Sequence, residues 1–410
     1  MENTRAIQSG TKDRWLQLVL GMLVMLFAGI IYSWSILKLP FTSEFGWTAA
    51  QLGVNYTITI LCFCLGGFFS GLLAKKTGIR LRMVVGALLT CAGFMITSRI
   101  DADGILLLYL SYGTMAGLGI GITYNTVLAT VMSWFPDRKG AASGSLLLAF
   151  ALTTLVIGNA AEHRIESSQW RGTYLALAVC TGCVILLASL FLKTPSRDTV
   201  FSEPKKRRNE TPSCVFERKD YTALQMIRRL SFWLLFVFLI ILAAVGNAAI
   251  SFAKDILIEA GATKKLAVLL VGVISLFNGF GRLVAGTLYD RIGLKKTLYV
   301  MSGVSILATF TVVLALATDV FALGLVGIGL CYFTYGFVPT TATTLSGEFY
   351  GTKNLALNMS IMTLHMIPAA FIATLAGNLQ TATGSFQSIF LILAVGTLVA
   401  LGINLGIKKP

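Results

Sequence analysis

Charge is what this sequence has least of. Its 410 residues include 33 Lys and Arg and 18 Asp and Glu, 12% together, against about 25% in an ordinary soluble domain. With 56% of the residues apolar, too little polar surface remains to cover a water-soluble exterior. A soluble enzyme, a nucleic-acid-binding domain and a disordered chain are excluded on these grounds. The net charge of +15 is a question of membrane orientation, and no nucleic-acid partner is expected. Cysteine offers no framework either. The seven lie mostly inside apolar runs, and an odd count without paired spacing argues against disulfides. Cys180 and Cys183 form a CxxC within an apolar run and are read as packing residues. No metal-ligand spacing occurs, so no metal or cofactor is expected. The polar stretch 1–14 leads into an apolar run too long for the core of a cleavable signal.

Long apolar runs are what the chain has instead. A helix needs about 20 apolar residues to cross the hydrocarbon. Twelve such runs are present, at 15–38, 50–74, 82–99, 104–134, 140–161, 171–193, 230–253, 265–289, 296–317, 320–346, 354–377 and 385–407. The expected fold is an all-α integral membrane protein of 12 transmembrane helices in two six-helix halves. Glycine is abundant, 40 residues, and Gly113, Gly117 and Gly121 recur at helical spacing. Small residues let helices approach closely in lipid, where no hydrophobic effect drives them together. The longest polar stretch, 194–229, contains Lys205, Lys206, Arg207 and Arg208. It reads as a cytoplasmic linker between a half at 1–193 and a half at 230–410, with an anionic-lipid site as the alternative. If the N-terminus is cytoplasmic, 25 basic residues fall in cytoplasmic segments and seven in outer ones. That bias puts both termini in the cytoplasm. The tryptophans lie mainly near run ends, as interfacial anchors do.

Against this background a few polar residues stand out. All 18 acidic residues lie in loops or at run ends. Cation exporters and proton pumps commonly use buried carboxylates, so their absence points to an anionic substrate. Arg282 is the opposite case. It lies within the eighth run, eight residues, or about 12 Å of helix, before Asp290. A guanidinium there is costly unless it meets a cavity, a partner or backbone carbonyls. Its planar fork suits a carboxylate, and Asn278 is one turn earlier on the same face. His365 lies near the middle of the eleventh run, with Pro368 just beyond. It is a proton-coupling candidate, because an imidazole titrates near neutrality, although a lone histidine also serves as a hydrogen-bonded core residue. Tyr32, Tyr124 with Asn125, and Tyr335 recur at comparable depths. Each fits simple packing, and together they could wall a small pocket around Arg282.

The two halves also share a loop pattern. Gly71, Lys75, Lys76, Gly78 and Arg80 are matched at an offset of 215 by Gly286, Asp290, Arg291, Gly293 and Lys295. Twelve helices, two halves and this repeated glycine/basic loop resemble the major facilitator superfamily, in which Gly286, Asp290, Arg291 and Gly293 would belong to the gating motif. The first copy has Lys75 where that family usually has Asp, which weakens the charge latch in the N-terminal half. Tyr32-Ser33-Trp34, Gly119 to Tyr124, Trp134 to Gly144 and Leu276 to Arg282 look like the monocarboxylate transporters and the oxalate/formate antiporters. The resemblance implies that Arg282 binds substrate with Tyr32, Tyr124 and Tyr335 around it. Animal monocarboxylate transporters have Asp where this chain has Asn278. The oxalate exchangers carry a Lys on helix 11, where this chain has only His365. One permanent cation matches one carboxylate, so a monocarboxylate such as lactate, pyruvate or acetate fits better than oxalate.

The expected function is a proton-coupled symporter of small monocarboxylates, with a carboxylate/carboxylate antiporter as the alternative. The protein would be a multi-pass component of the plasma (inner) membrane, expected to be a monomer, with the lipid bilayer, the acid and a proton as its partners. A membrane-embedded enzyme or sensor finds no buried catalytic set in the sequence to support it.

Overall fold

The computed structural model describes residues 2–74, 76–135, 139–166, 169–195, 220–351 and 355–408. Among these there is no strand, and twelve helices are long and apolar enough to cross a membrane. In chain order they are α1 (Asp13–Ser43), α2 (Ala49–Leu73), α3 (Ile79–Thr97), α4 (Ile105–Ser133), α5 (Ala142–Ile165) and α6 (Trp170–Phe191). The second half comprises α7 (Leu230–Glu259), α8 (Lys264–Tyr289), α9 (Lys295–Thr318), α10 (Phe321–Tyr350), α11 (Leu357–Thr383) and α12 (Gln387–Gly406). A helix satisfies its backbone internally, which lipid demands of any spanning segment. An even number of spans leaves both termini at one end of the bundle, here called the near end. Large apolar side chains such as Leu187, Leu190, Val395 and Leu405 are exposed, forming the lipid-facing surface. Cys180 and Cys183 share that exposure.

Several helices outrun the apolar runs that announce them, α1 and α7 among them. α1 continues past Lys38 to Ser43, and α7 continues past Ala253 to Glu259. These two runs end at the first charge, Lys38 in α1 and Lys254 in α7, and the extensions bring Lys38 and Asp255 together across the two halves, 2.5 Å apart. The tryptophans also differ from the interfacial expectation. Trp15 and Trp233 are about half exposed, but Trp34, Trp47, Trp134 and Trp170 are buried. Their indole N–H groups donate to Leu52 O, Ala102 O, Lys193 O and the Glu44 carboxylate. A buried indole needs an acceptor, and these tryptophans find theirs within the protein, pinning helix ends together.

Local irregularities concentrate around the central axis. α1 tightens to a 3-10 turn at Gly29–Ser33, and α5 widens to a π turn at Thr154–Gly158. The two segments face each other. A Cβ on Gly29 would sit 2.1 Å from Phe150 O, so only glycine permits this approach. Ser33 Oγ donates to Thr154 Oγ1 at 3.3 Å, and Thr153 Oγ1 to Leu26 O at 2.5 Å. α7 departs from helical geometry at Phe252, α10 carries Pro339, and α11 is interrupted between Thr363 and Met366. Breaks of this kind in membrane helices are tolerated where protein, rather than lipid, surrounds them. Across the halves, α2 meets α11 through Thr57, whose hydroxyl bonds Ala370 O at 2.9 Å and Thr374 Oγ1 at 2.8 Å.

The proposed linker lies mostly outside the described residues. Its C-terminal end is anchored to the second half, with Tyr221 N donating to Tyr350 O at 3.0 Å and Asn358 Nδ2 to Tyr221 O at 3.1 Å. The repeated loop glycines are not conformational twins. Gly78 has φ −68° and starts α3, whereas Gly293 has φ +77° and ψ 174° and turns the chain from α8 into α9. That conformation is open to glycine almost alone. The side chain of Asp290 lies outside the described residues, and Arg291 is exposed.

Candidate functional site

Arg282 lies between the halves and is 4% exposed. Nη1 donates to Leu147 O of α5 at 2.7 Å, and Nη2 to the Tyr32 hydroxyl of α1 at 3.4 Å. Nε has no hydrogen-bond partner. No carboxylate among the described residues contacts the guanidinium. Its charge is therefore solvated by one carbonyl dipole and one phenol, which is thin support for a full charge in a low-dielectric interior.

Close helix packing fixes this position. A Cβ on Gly336 would lie 2.2 Å from Asn278 O and 2.9 Å from Arg282 N, and one on Gly281 would lie 2.1 Å from Phe333 O. Glycine on both sides thus lets the α8 and α10 backbones touch, which places Tyr335 beside Arg282's helix. The aromatic wall follows from there. Tyr32 meets Tyr335 edge to face, with ring centroids 5.8 Å apart, and Phe150 at 5.1 Å. Phe150 in turn meets Tyr124 at 5.1 Å, and Phe63 meets Tyr124 at 5.1 Å. Asn278 is buried with its Oδ1 unbonded.

So Arg282, Tyr32, Tyr335 and Tyr124 share one region, contributed by α8, α1, α10 and α4, and Asn278 is buried one turn before Arg282 on α8. Asn125 is turned elsewhere: its amide donates to Gly67 O and ties α4 to α2. His365 is buried at the interruption of α11. Nδ1 lies 2.7 Å from Met362 O, so this nitrogen carries the hydrogen and Nε2 presents a lone pair, with no partner. Its ring faces Phe236 of α7 at 6.3 Å, and no hydrogen bond joins it to Arg282 or the tyrosines. Gly286 and Gly293 belong to the near end of α8 and the turn after it, away from the aromatic wall.

Sequence reading missed several partners. Phe150 and Phe63 are ordinary-looking aromatics, and the Leu147 carbonyl has no sequence signal at all. Tyr56 and Asn247 are buried polar residues within runs 2 and 7, and the Tyr56 hydroxyl reaches Asn247 Oδ1 at 3.5 Å across the halves. A polar residue inside an apolar run was the available signal. Among the described residues, no group of His, Cys, Asp and Glu could hold a metal ion.

The profile of the Major Facilitator Superfamily matches residues 18–366. The chain belongs to the Major Facilitator Superfamily. Within that superfamily it is 27% identical over 358 residues to the oxalate:formate antiporter of Oxalobacter formigenes, covering 83% of this chain and 80% of that one. It is 26% identical over 395 residues to human monocarboxylate transporter 12, covering 86% and 71%. It is 28% identical to an uncharacterized MFS-type transporter of Escherichia coli, covering 86% and 85%. Among solved structures, a bacterial homologue of the human lysosomal transporter Spinster superposes with a TM-score of 0.68 at 15% identity, covering 96% of both chains. The nucleoside transporter NupG gives 0.70 at 11% identity, covering 97% of this chain and all of that one. These superfamily members share the twelve-helix fold. The chain is thus a multi-pass membrane transporter of a small molecule, related to carboxylate carriers.

Proposed function

We propose that this transporter carries small monocarboxylates of the lactate, pyruvate or acetate type, in symport with a proton, by alternating access. The observation that carries the reading is Arg282, a buried cation held between the two halves without a carboxylate partner among the described residues. A substrate carboxylate would accept from the guanidinium in place of the Leu147 carbonyl and satisfy Nε, in the forked geometry that suits this pair. Tyr32, Tyr335 and Tyr124 would wall the remainder of the acid, and Asn278 would share its polar contacts. Neutralising Arg282 removes the charge barrier to rocking one half over the other, the usual motion of this architecture. One cation selects one carboxylate, and a co-transported proton keeps the cycle electroneutral.

His365 is the proposed proton site, because its Nε2 lone pair is buried and unclaimed at a break in α11. The Asn278 position offers no titratable group. With the termini cytoplasmic, as the basic residues argue, the protein would act as a monomer in the plasma membrane. The likeness to the oxalate:formate antiporter favours a second reading, exchange of one carboxylate for another.

Uptake of radiolabelled lactate into proteoliposomes tests both. Arg282→Gln is expected to abolish uptake, and near-normal uptake by that variant would sink the assignment. His365→Gln is expected to keep exchange but lose accumulation driven by a pH gradient. Uptake that requires internal carboxylate and ignores the pH gradient would select the exchanger.

A further inference from the structure

At the end of the bundle remote from the termini, the two halves are joined by a buried charge. Lys38, in α1, is 3% exposed. Its ammonium lies 2.5 Å from Asp255 Oδ2 and 3.2 Å from Ser251 O, both on α7, and 4.1 Å from the centre of the Phe252 ring. Phe252 is where α7 breaks, with φ −131° and ψ 18°, and breaks in the helical ladder turn carbonyls toward other donors. One lysine from the first half thus takes a carboxylate, a carbonyl and an aromatic face from the second. Asp255 is placed differently. Its side chain is 35% exposed against 4% for Lys38, and the two border a cavity of about 420 Å³ that is also lined by Trp47, Thr48, Gln380 and Phe386. The pair forms part of the floor of this far-end vestibule, beneath which Tyr56 meets Asn247 and Trp34 donates to Leu52 O.

We propose that Lys38 and Asp255 are the latch of the far-end gate. The latch is made when the halves are closed at that end and breaks when they part to expose the Arg282 site to it. The chemistry explains why a charge pair is used. In the closed state Lys38 is nearly buried, and its charge is supported by groups that all belong to the opposite half. In the open state water takes over that role for both ions. The closed state is therefore favoured only while the Asp255 carboxylate is in place. The two partners are also unequal. Removing Asp255 leaves a buried cation without a counter-ion, whereas removing Lys38 leaves a carboxylate that already reaches the vestibule. An ion pair that merely glues two helices has no reason to show this asymmetry in gate opening.

The test is pulsed electron-electron distance measurement between spin labels at Thr42→Cys and Thr381→Cys, on opposite sides of the vestibule. It uses the full-length protein in lipid nanodiscs with its native cysteines replaced, and needs no substrate, so it stands apart from the carboxylate assignment. Asp255→Asn should raise the ratio of long to short distances at least about tenfold, because an uncompensated buried charge penalises the closed state. Lys38→Gln should raise it less, by about two- to fivefold. The double variant should fall back toward Lys38→Gln, since the stranded charge is gone. An unchanged distribution in Asp255→Asn overturns the proposal, as does an equal effect of the two single changes that adds in the double. If Asp255→Asn cannot be purified, an unchanged distribution in Lys38→Gln overturns it as well.

Discussion

Two buried cations link the halves of this transporter, and they are provided for in opposite ways. Lys38 has a carboxylate at 2.5 Å, a carbonyl and a ring face. Arg282 has a carbonyl and a phenol, an unbonded Nε and, among the described residues, no carboxylate. Lys38 is complete without a ligand, and Arg282 is not. A charge in a dry interior is stable only with a counter-ion, so the incomplete site is the one that, under the proposed function, would take an anion from outside. The complete site has a different use, since its counter-ion sits on the other half and is surrendered whenever the halves separate there.

The comparison can be broken most decisively at Arg282. Arg282→Gln should lower lactate uptake by more than about a hundredfold, because it removes the cation and the fork together, while folding is retained in fluorescence-detected chromatography. Equal loss of folding and uptake would make Arg282 a structural residue. Asp255→Asn comes next. It should destabilise the purified protein by about 1–2 kcal/mol, less than a fully buried pair would, since the Asp255 side chain is 35% exposed. Chemical denaturation with and without the substitution measures this, and no change would mean the pair is as weak as a surface one. Arg282→Lys should retain uptake but reduce it about tenfold, because an ammonium keeps the charge and loses the paired geometry. Uptake equal to wild type would show that charge alone suffices. The smallest effect belongs to Tyr32→Phe. Losing a 3.4 Å contact should raise the KM for lactate about two- to fivefold, near the net worth of one hydrogen bond, with kcat little changed.

The contrast also marks what the sequence could and could not disclose. Twelve spans were legible because lipid forces each crossing to be a long apolar helix. Arg282 stood out because a basic residue inside such a run is costly unless a cavity, a partner or backbone carbonyls receive it. Tyr32, Tyr124 and Tyr335 were legible only as a recurring type at similar depth. What brings Tyr335 against Arg282's helix is the glycine contact of Gly281 and Gly336, one small residue among many in the pattern. The Lys38–Asp255 pair was illegible. Both residues sit where hydropathy ends a span, and their partnership joins positions 217 residues apart. The buried tryptophans were misread for a related reason: proximity to a span end does not say whether the side chain faces lipid or a neighbouring helix. Asn125 fell to the same ambiguity of direction, since its amide serves a helix contact with Gly67.

The central claim, that Arg282 is completed by a substrate carboxylate, is tested most directly by ligand-induced thermal stabilisation of the purified protein with lactate and with lactamide, its uncharged counterpart of nearly equal shape. Lactate should raise the Tm of the wild type in a concentration-dependent manner, as any ligand selective for the folded state does. It should leave the Tm of Arg282→Gln unmoved, and lactamide should stabilise neither protein. Equal stabilisation of the wild type by lactate and lactamide, or undiminished stabilisation of Arg282→Gln by lactate, would contradict the account.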